Sequence, residues 1–85
     1  MELVFSRSFE RDYRKLPRPI QARLDQQLLR LVANFSHPSL RTKRIKGHPY
    51  AWEGRITRSH RFTFQINADQ CILRRAGTHD ILKTP

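Results

Sequence analysis

The sequence predicts an α+β domain: an opening strand, a two-helix hairpin, then an antiparallel meander of about four strands, with the helices packed on one sheet face. Three observations predict it. Between Phe9 and Val32 the apolar residues recur every three or four positions, the period of a helix face. From Trp52 onward they alternate with polar residues, the period of a strand. Proline, glycine, serine and asparagine clusters separate the segments.

Each element has its own signal. "ELVFS" (2–6) is short and mostly apolar, an opening strand. Ser8 is a candidate N-cap, and Phe9, Tyr13 and Leu16 fall at i, i+4 and i+7 on one face of a short helix that Pro17 stops. Pro19 suits the first turn of a second helix. Ile20, Leu24, Leu28, Leu31 and Val32 give that helix its apolar stripe, and it ends near Asn34. "LRTKRIK" (40–46) is the weakest strand signal. "AWEGRITR" (51–58) and "FTFQI" (62–66) alternate cleanly, with a tight turn at Ser59 and His60. "NADQ" (67–70) turns the chain into a final strand, "CILRRAG" (71–77).

Composition narrows the function classes. Eighty-five residues make one domain, 1–85, with a small core. The lone Cys71 excludes an internal disulfide, and four histidines without cysteine partners do not form a zinc finger. No long apolar run or leader pattern is present, so a cytoplasmic protein with no membrane partner is expected. Seventeen Lys and Arg against seven Asp and Glu give a net charge of +10. Most of the cations are arginine, whose planar fork matches phosphate oxygens bidentately, so a polyanion such as nucleic acid is the expected partner.

Strand parity then groups the cations. If Phe62, Phe64 and Ile66 face the helices, Arg61, Thr63 and Gln65 face away. Trp52, Gly54 and Ile56 share one side of their strand, and Glu53, Arg55 and Thr57 the other. One sheet surface thereby gathers Arg55, Arg61, Arg75 and, if the chain stays extended through Gly77, His79, with Lys43 at its rim. Guanidiniums on an uncovered sheet face form a cradle for a phosphate backbone.

"FSRSFERDYRKLP", "WEGRITRSHRFTFQI" and "LRRAGTHDIL" together resemble the RelE/ParE superfamily of toxin–antitoxin toxins, over almost the whole chain and in order. The middle stretch is similar to the YoeB branch, with a Trp, an Arg three residues on and an Arg opening the next strand. The "GTHD" ending is similar to the YafQ branch, with an Arg four residues before a His. The resemblance implies a RelE-like fold and a ribosome-dependent mRNA endonuclease held silent by a cognate antitoxin. Operator DNA is then a partner only of the toxin–antitoxin complex. The resemblance assigns catalysis to His79, Arg75 and Arg61, with His79 in general acid–base work. It matches Lys43 and Lys46 to a lysine-lined strand and Trp52 with Arg55 to a pair of the YoeB pattern, which makes them candidate RNA contacts; Arg44, between the lysines, is a further cation for RNA, and Trp52 reads equally well as a core residue. The sequence departs from the pattern in two places: "LRTKRIK" has no carboxylate where YoeB-like toxins carry a glutamate base, and the chain offers Ile81 and Leu82 where RelE-like toxins often end in Tyr or Phe. Glu53 and His48 are the candidate replacements for the base, and Glu53 reads more readily still as an ion-pair partner that positions Arg55 or Arg61.

The residues suit metal-free RNA cleavage, in which a 2′-hydroxyl attacks the neighbouring phosphorus. Imidazole exchanges protons near neutral pH, and arginines stabilise the extra negative charge. The seven acidic residues are scattered along the chain, unlike the carboxylate cluster of a two-metal nuclease, and no cofactor is expected. Two other readings compete: a ParE-like DNA gyrase inhibitor, which needs no acid–base pair, and a non-catalytic nucleic-acid-binding module that only represses its operon with a partner.

Overall fold

A computed structural model describes all 85 residues. Strand β1 (Glu2–Phe5) leads into helices α1 (Arg7–Lys15) and α2 (Arg18–Ala33) and a 3-10 turn (Pro38–Leu40). Strands β2 (Lys43–Ile45), β3 (His48–Arg55), β4 (His60–Asn67) and β5 (Gln70–Thr78) follow, then a second 3-10 turn (His79–Lys83). The five strands form one mixed sheet in the order β1-β5-β4-β3-β2. The β2–β5 meander is antiparallel, while β1 adds in parallel to β5, pairing Glu2 with Gln70 through Phe5 with Leu73.

Several boundaries differ from the sequence expectation, each for a local reason. Ser6, not Ser8, caps α1: its hydroxyl accepts from the Phe9 N–H at 3.1 Å and donates to the Arg74 carbonyl at 3.1 Å. The cap therefore also fastens the helix start to β5. Pro17 stops α1, and α2 runs to an Asn34 cap as the apolar series predicts. The 40–46 strand shrinks to Lys43–Ile45, because Pro38–Leu40 coils and Arg41 takes left-handed angles (φ 46, ψ 46). β3 lies at 48–55 rather than 51–58, because the chain turns around Gly47 (φ 83) into a hairpin and leaves the sheet after Arg55. His60 is the first residue of β4 rather than part of the turn.

The core forms where the helix stripe meets the sheet. Phe9, Leu24, Leu28 and Leu31 pack against Ile56, Phe62, Phe64, Cys71, Leu73 and Ala76. Gly54 sits opposite Phe62 across the β3–β4 ladder, and a Cβ there would overlap the Phe62 ring. Gln27 interrupts the α2 stripe yet is fully buried; its amide donates to the Ser39 carbonyl at 3.1 Å and the Arg55 carbonyl at 2.7 Å.

One irregularity decides what the other sheet face carries. Thr63 pairs with Arg75, but the next β4 residue, Phe64, pairs with Leu73, so Arg74 is an extra residue in β5. Such a bulge inverts the alternation downstream. Cys71 and Leu73 point to the helices before it, and Ala76 does so after it. Arg75 and Gly77 are thereby turned to the opposite face.

That opposite face is not bare. The segment 79–85 folds back across β4 and β5. Ile81 is buried over Gly77, where a Cβ would meet its Cγ2 at 3.0 Å. The Pro85 carbonyl accepts from Thr63 Oγ1 at 3.4 Å and from Arg74 Nε at 3.0 Å.

Two outcomes follow from this packing. Gly54→Ala should destabilise the fold by about 1–3 kcal/mol through overpacking, read as a lower urea midpoint with an unchanged slope. Burial pushes the Cys71 thiol from 9.0 up to about 11. The unfolded chain then loses that proton at a lower pH than the folded one, so folding stability falls as pH rises from about 9 to about 11. The Tyr13 hydroxyl, raised by its hydrogen bond to Asp25 and then by burial, adds to the fall with the same sign. Urea midpoints across this range should drop less steeply in Cys71→Ala than in the wild type.

Candidate functional site

The ladders set two rows of side chains across the face opposite the helices. In one row Lys43, Glu53, Thr63 and Arg75 are successive cross-strand partners on β2 to β5. In the next, Arg55, Arg61 and Gly77 are partners on β3 to β5. At about 4.8 Å between strands, the Glu53 and Arg75 backbones lie about 10 Å apart.

Arg61 is held by backbone oxygens. Its Nη1 donates to the carbonyls of Thr57 at 2.7 Å, His60 at 2.9 Å and Arg58 at 3.2 Å. Its Nε lies 3.8 Å from Glu53 Oε1, and both side chains are mostly buried, at 14% and 10% exposure. Nη2 makes no hydrogen bond within the protein. The Thr57 carbonyl also accepts from Arg55 Nε at 3.3 Å, which ties the second guanidinium to the same turn. The turn itself is tied by polar side chains: Thr57 Oγ1 and Ser59 Oγ lie 3.3 Å and 3.2 Å from His60 Nδ1.

Arg75 is held by an acid that strand parity does not reveal. Its Nε donates to Asp12 Oδ2 at 2.7 Å, and its Nη1 donates to the Thr84 carbonyl and Oγ1, both at 3.2 Å. Asp12 Oδ2 also accepts the Ala76 N–H at 3.0 Å. The reason is topological. β1 pairs with β5 only as far as Leu73, so the outer edge of β5 beyond it needs another partner, and α1 supplies one.

Arg55, Arg61, Arg75, Glu53 and Lys43 thus share one face. His79 opens the second 3-10 turn, two residues beyond Gly77; it is exposed, and its imidazole has no protein hydrogen bond. The structure sends two of the RNA-contact expectations to the other face. Trp52 packs against Phe35 at 5.2 Å and Phe64 at 6.4 Å on the helix side, with the Arg44 guanidinium 5.0 Å above its ring. Lys46 lies exposed in the β2–β3 turn. His48 begins β3, about 16 Å along the strand from Glu53, and lines a groove of about 530 Å3 with Tyr50, Gln65, Arg74 and Lys83. Only Glu53 of the two candidate bases therefore lies in the Arg61–Arg75 rows.

Asp12, Gln27 and Thr63 matter to this geometry and were not singled out by the sequence. A signal existed for two of them. Asp12 falls three residues after Phe9 on the buried side of α1, and Gln27 lies inside an apolar stripe, where a polar group requires a partner.

No protein-family model matches the sequence, and no curated protein matches it. Solved structures do match. A YoeB/ParE toxin from Agrobacterium tumefaciens superposes with a TM-score of 0.79 at 19% identity, over 93% of this chain and 99% of that one. A chain of the RelB–RelE antitoxin–toxin complex from Methanococcus jannaschii gives 0.72 at 22% identity, over 95% of each. YafQ from E. coli gives 0.74 at 14% identity, over 95% of this chain and 96% of that one. At this level of identity the likeness is one of architecture, and the chain has the fold of the RelE, YoeB and YafQ toxins.

Proposed function

We propose that this chain is the toxin of a toxin–antitoxin pair and acts as a metal-independent, ribosome-dependent mRNA endonuclease. The observation that carries the reading is the bulge at Arg74, which sets Arg75 on the same face as Arg61 and Glu53; His79 follows two residues beyond Gly77, exposed and without a protein hydrogen bond.

In this reading the scissile phosphate lies beside Arg61 and Arg75, at the margin of the 79–85 segment that covers Thr63 and Gly77. Arg61 and Arg75 stabilise the charge that builds on the non-bridging oxygens. Their guanidiniums are already oriented by carbonyls and by Asp12, so no reorganisation is needed at the moment of reaction. Glu53 accepts the proton of the attacking 2′-hydroxyl. His79, free in solvent, protonates the departing 5′-oxygen. A positioned acid or base contributes roughly 10²–10⁴-fold to the rate. Lys43, at the end of the Glu53 row, adds a cation along the backbone path.

The partners follow from charge. A net +10 suits ribosomal RNA and mRNA, and equally an acidic antitoxin segment. Solved structures of this fold include antitoxin–toxin complexes. Operator DNA is bound through that complex. No helix is long and apolar enough to cross a membrane.

Primer extension on ribosome-bound mRNA tests the reading. Wild-type protein should cut. His79→Ala, whose site is exposed, and Glu53→Gln should each lower the cleavage rate by about 100-fold or more with unchanged circular dichroism. Cleavage at the wild-type rate by His79→Ala would contradict the assignment, and intact mRNA with the wild type would remove the nuclease reading altogether.

A further inference from the structure

Four arginines meet at the open end of β3 with no acid among them. β2 pairs with β3 only up to Glu53, so beyond it the outer edge of β3 faces α2 and the Pro38–Leu40 turn. Two α2 side chains take the free carbonyls: Gln27 Nε2 reaches Arg55 O at 2.7 Å, and Arg23 Nε reaches Ile56 O at 3.3 Å. Arg41 and Arg58 close the sides of a concavity of about 320 Å3. Neither ion pair of the chain involves Arg23, Arg41, Arg55 or Arg58.

We propose that this concavity is a second phosphate subsite, which takes a backbone phosphate of the same RNA strand whose scissile phosphate lies at Arg61 and Arg75. The inference rests on the ribonuclease reading for the identity of the strand. Three features carry it.

First, the wall is built rather than incidental. Gln27 is 0% exposed, and its Oε1 accepts from Arg30 Nη1 at 2.9 Å and Ser39 Oγ at 3.3 Å while its amide holds two carbonyls. Arg41 is held at left-handed backbone angles that non-glycine residues seldom adopt. Second, the subsite is continuous with the arginine face. Arg55 belongs to both, and Arg55 and Arg61 donate to the same Thr57 carbonyl. Third, the chemistry selects phosphate. Forked guanidiniums match phosphate oxygens bidentately. The single apolar lining residue, Ile56, is itself buried, so an acidic peptide would find no apolar anchor. The repulsion is also evident at Arg55, whose pKa is lowered, first by burial and then by the charges of Arg41, Arg61 and Arg58. A bound anion relieves it.

The test uses a fluorescein-labelled single-stranded 2′-O-methyl RNA, which binds but lacks the attacking hydroxyl. Its affinity is measured by fluorescence anisotropy across a salt series. The double variant Arg41→Gln/Arg58→Gln should bind roughly tenfold more weakly at low salt, and its log K against log salt slope should fall by about 0.7 for one lost phosphate contact. Arg7→Gln/Arg11→Gln removes the same charge from exposed positions on α1 and should change both quantities much less. Equal loss in the two double variants, an unchanged slope for the first, or no binding by the wild type would overturn the subsite. Ribosomal cleavage by the wild type, read separately, decides the nuclease reading: binding that depends on Arg41 and Arg58 without any cleavage would sink that reading and leave the phosphate subsite standing.

Discussion

The candidate site depends on one surplus residue in a nine-residue strand. Without the bulge at Arg74, simple alternation from Cys71 and Leu73 would aim Arg75 into the helix-side core and Ala76 outward. A guanidinium there would need a buried partner or would have to leave, since an unpaired charge in an apolar core is prohibitively costly. With the bulge, a small alanine meets the helices and the arginine joins Arg61. The same register shift places Gly77 beside Arg61, and the absent side chain lets Ile81 and the last turn settle on the sheet. Core packing and site assembly are thus two consequences of one backbone feature.

Concentrated positive charge must be held in place against its own repulsion. The chain does this mainly with neutral oxygens: three turn carbonyls around Arg61, one of them shared with Arg55, and a carbonyl and hydroxyl of Thr84 against Arg75. Only two carboxylates enter, Glu53 and Asp12, each paired with one arginine. Dipoles orient guanidiniums without cancelling their charge, so the surface is organised and still strongly attractive to phosphate. Asp12 has a second duty, because it satisfies the Ala76 N–H on the strand edge that β1 leaves unpaired. The free edge of β5 and the orientation of Arg75 are settled by a single carboxylate.

Much of the fold was legible because period and punctuation agree with each other. The helical stripe from Ile20 to Leu31 and the alternation of Phe62 and Phe64 required no tertiary information. The face shared by Arg55 and Arg61 follows from the same alternation. What could not be read was set by long-range contact. Ser6 displaces Ser8 as the cap because only its hydroxyl also reaches β5. The parallel docking of β1 against β5 joins residues 68 positions apart, as Glu2 and Gln70 show. Trp52 follows the apolar parity of Gly54 and Ile56 to the helix side, so the family-derived RNA contact was at odds with a periodicity already visible. The bulge leaves only a faint trace, two adjacent arginines where alternation allows one outward position.

On the proposed reading, RNA phosphates dock on the sheet face opposite the helices. A ¹H–¹⁵N titration of labelled protein with a 2′-blocked single-stranded RNA tests it directly, because the Trp52 indole on the helix side serves as an internal control. Shifts are expected at the Arg61 and Arg75 side-chain Nε–H groups and at the backbone around Gly77 to His79, with the Trp52 indole N–H unmoved. Shifts at Trp52 and Arg44 with the arginine face silent would contradict it.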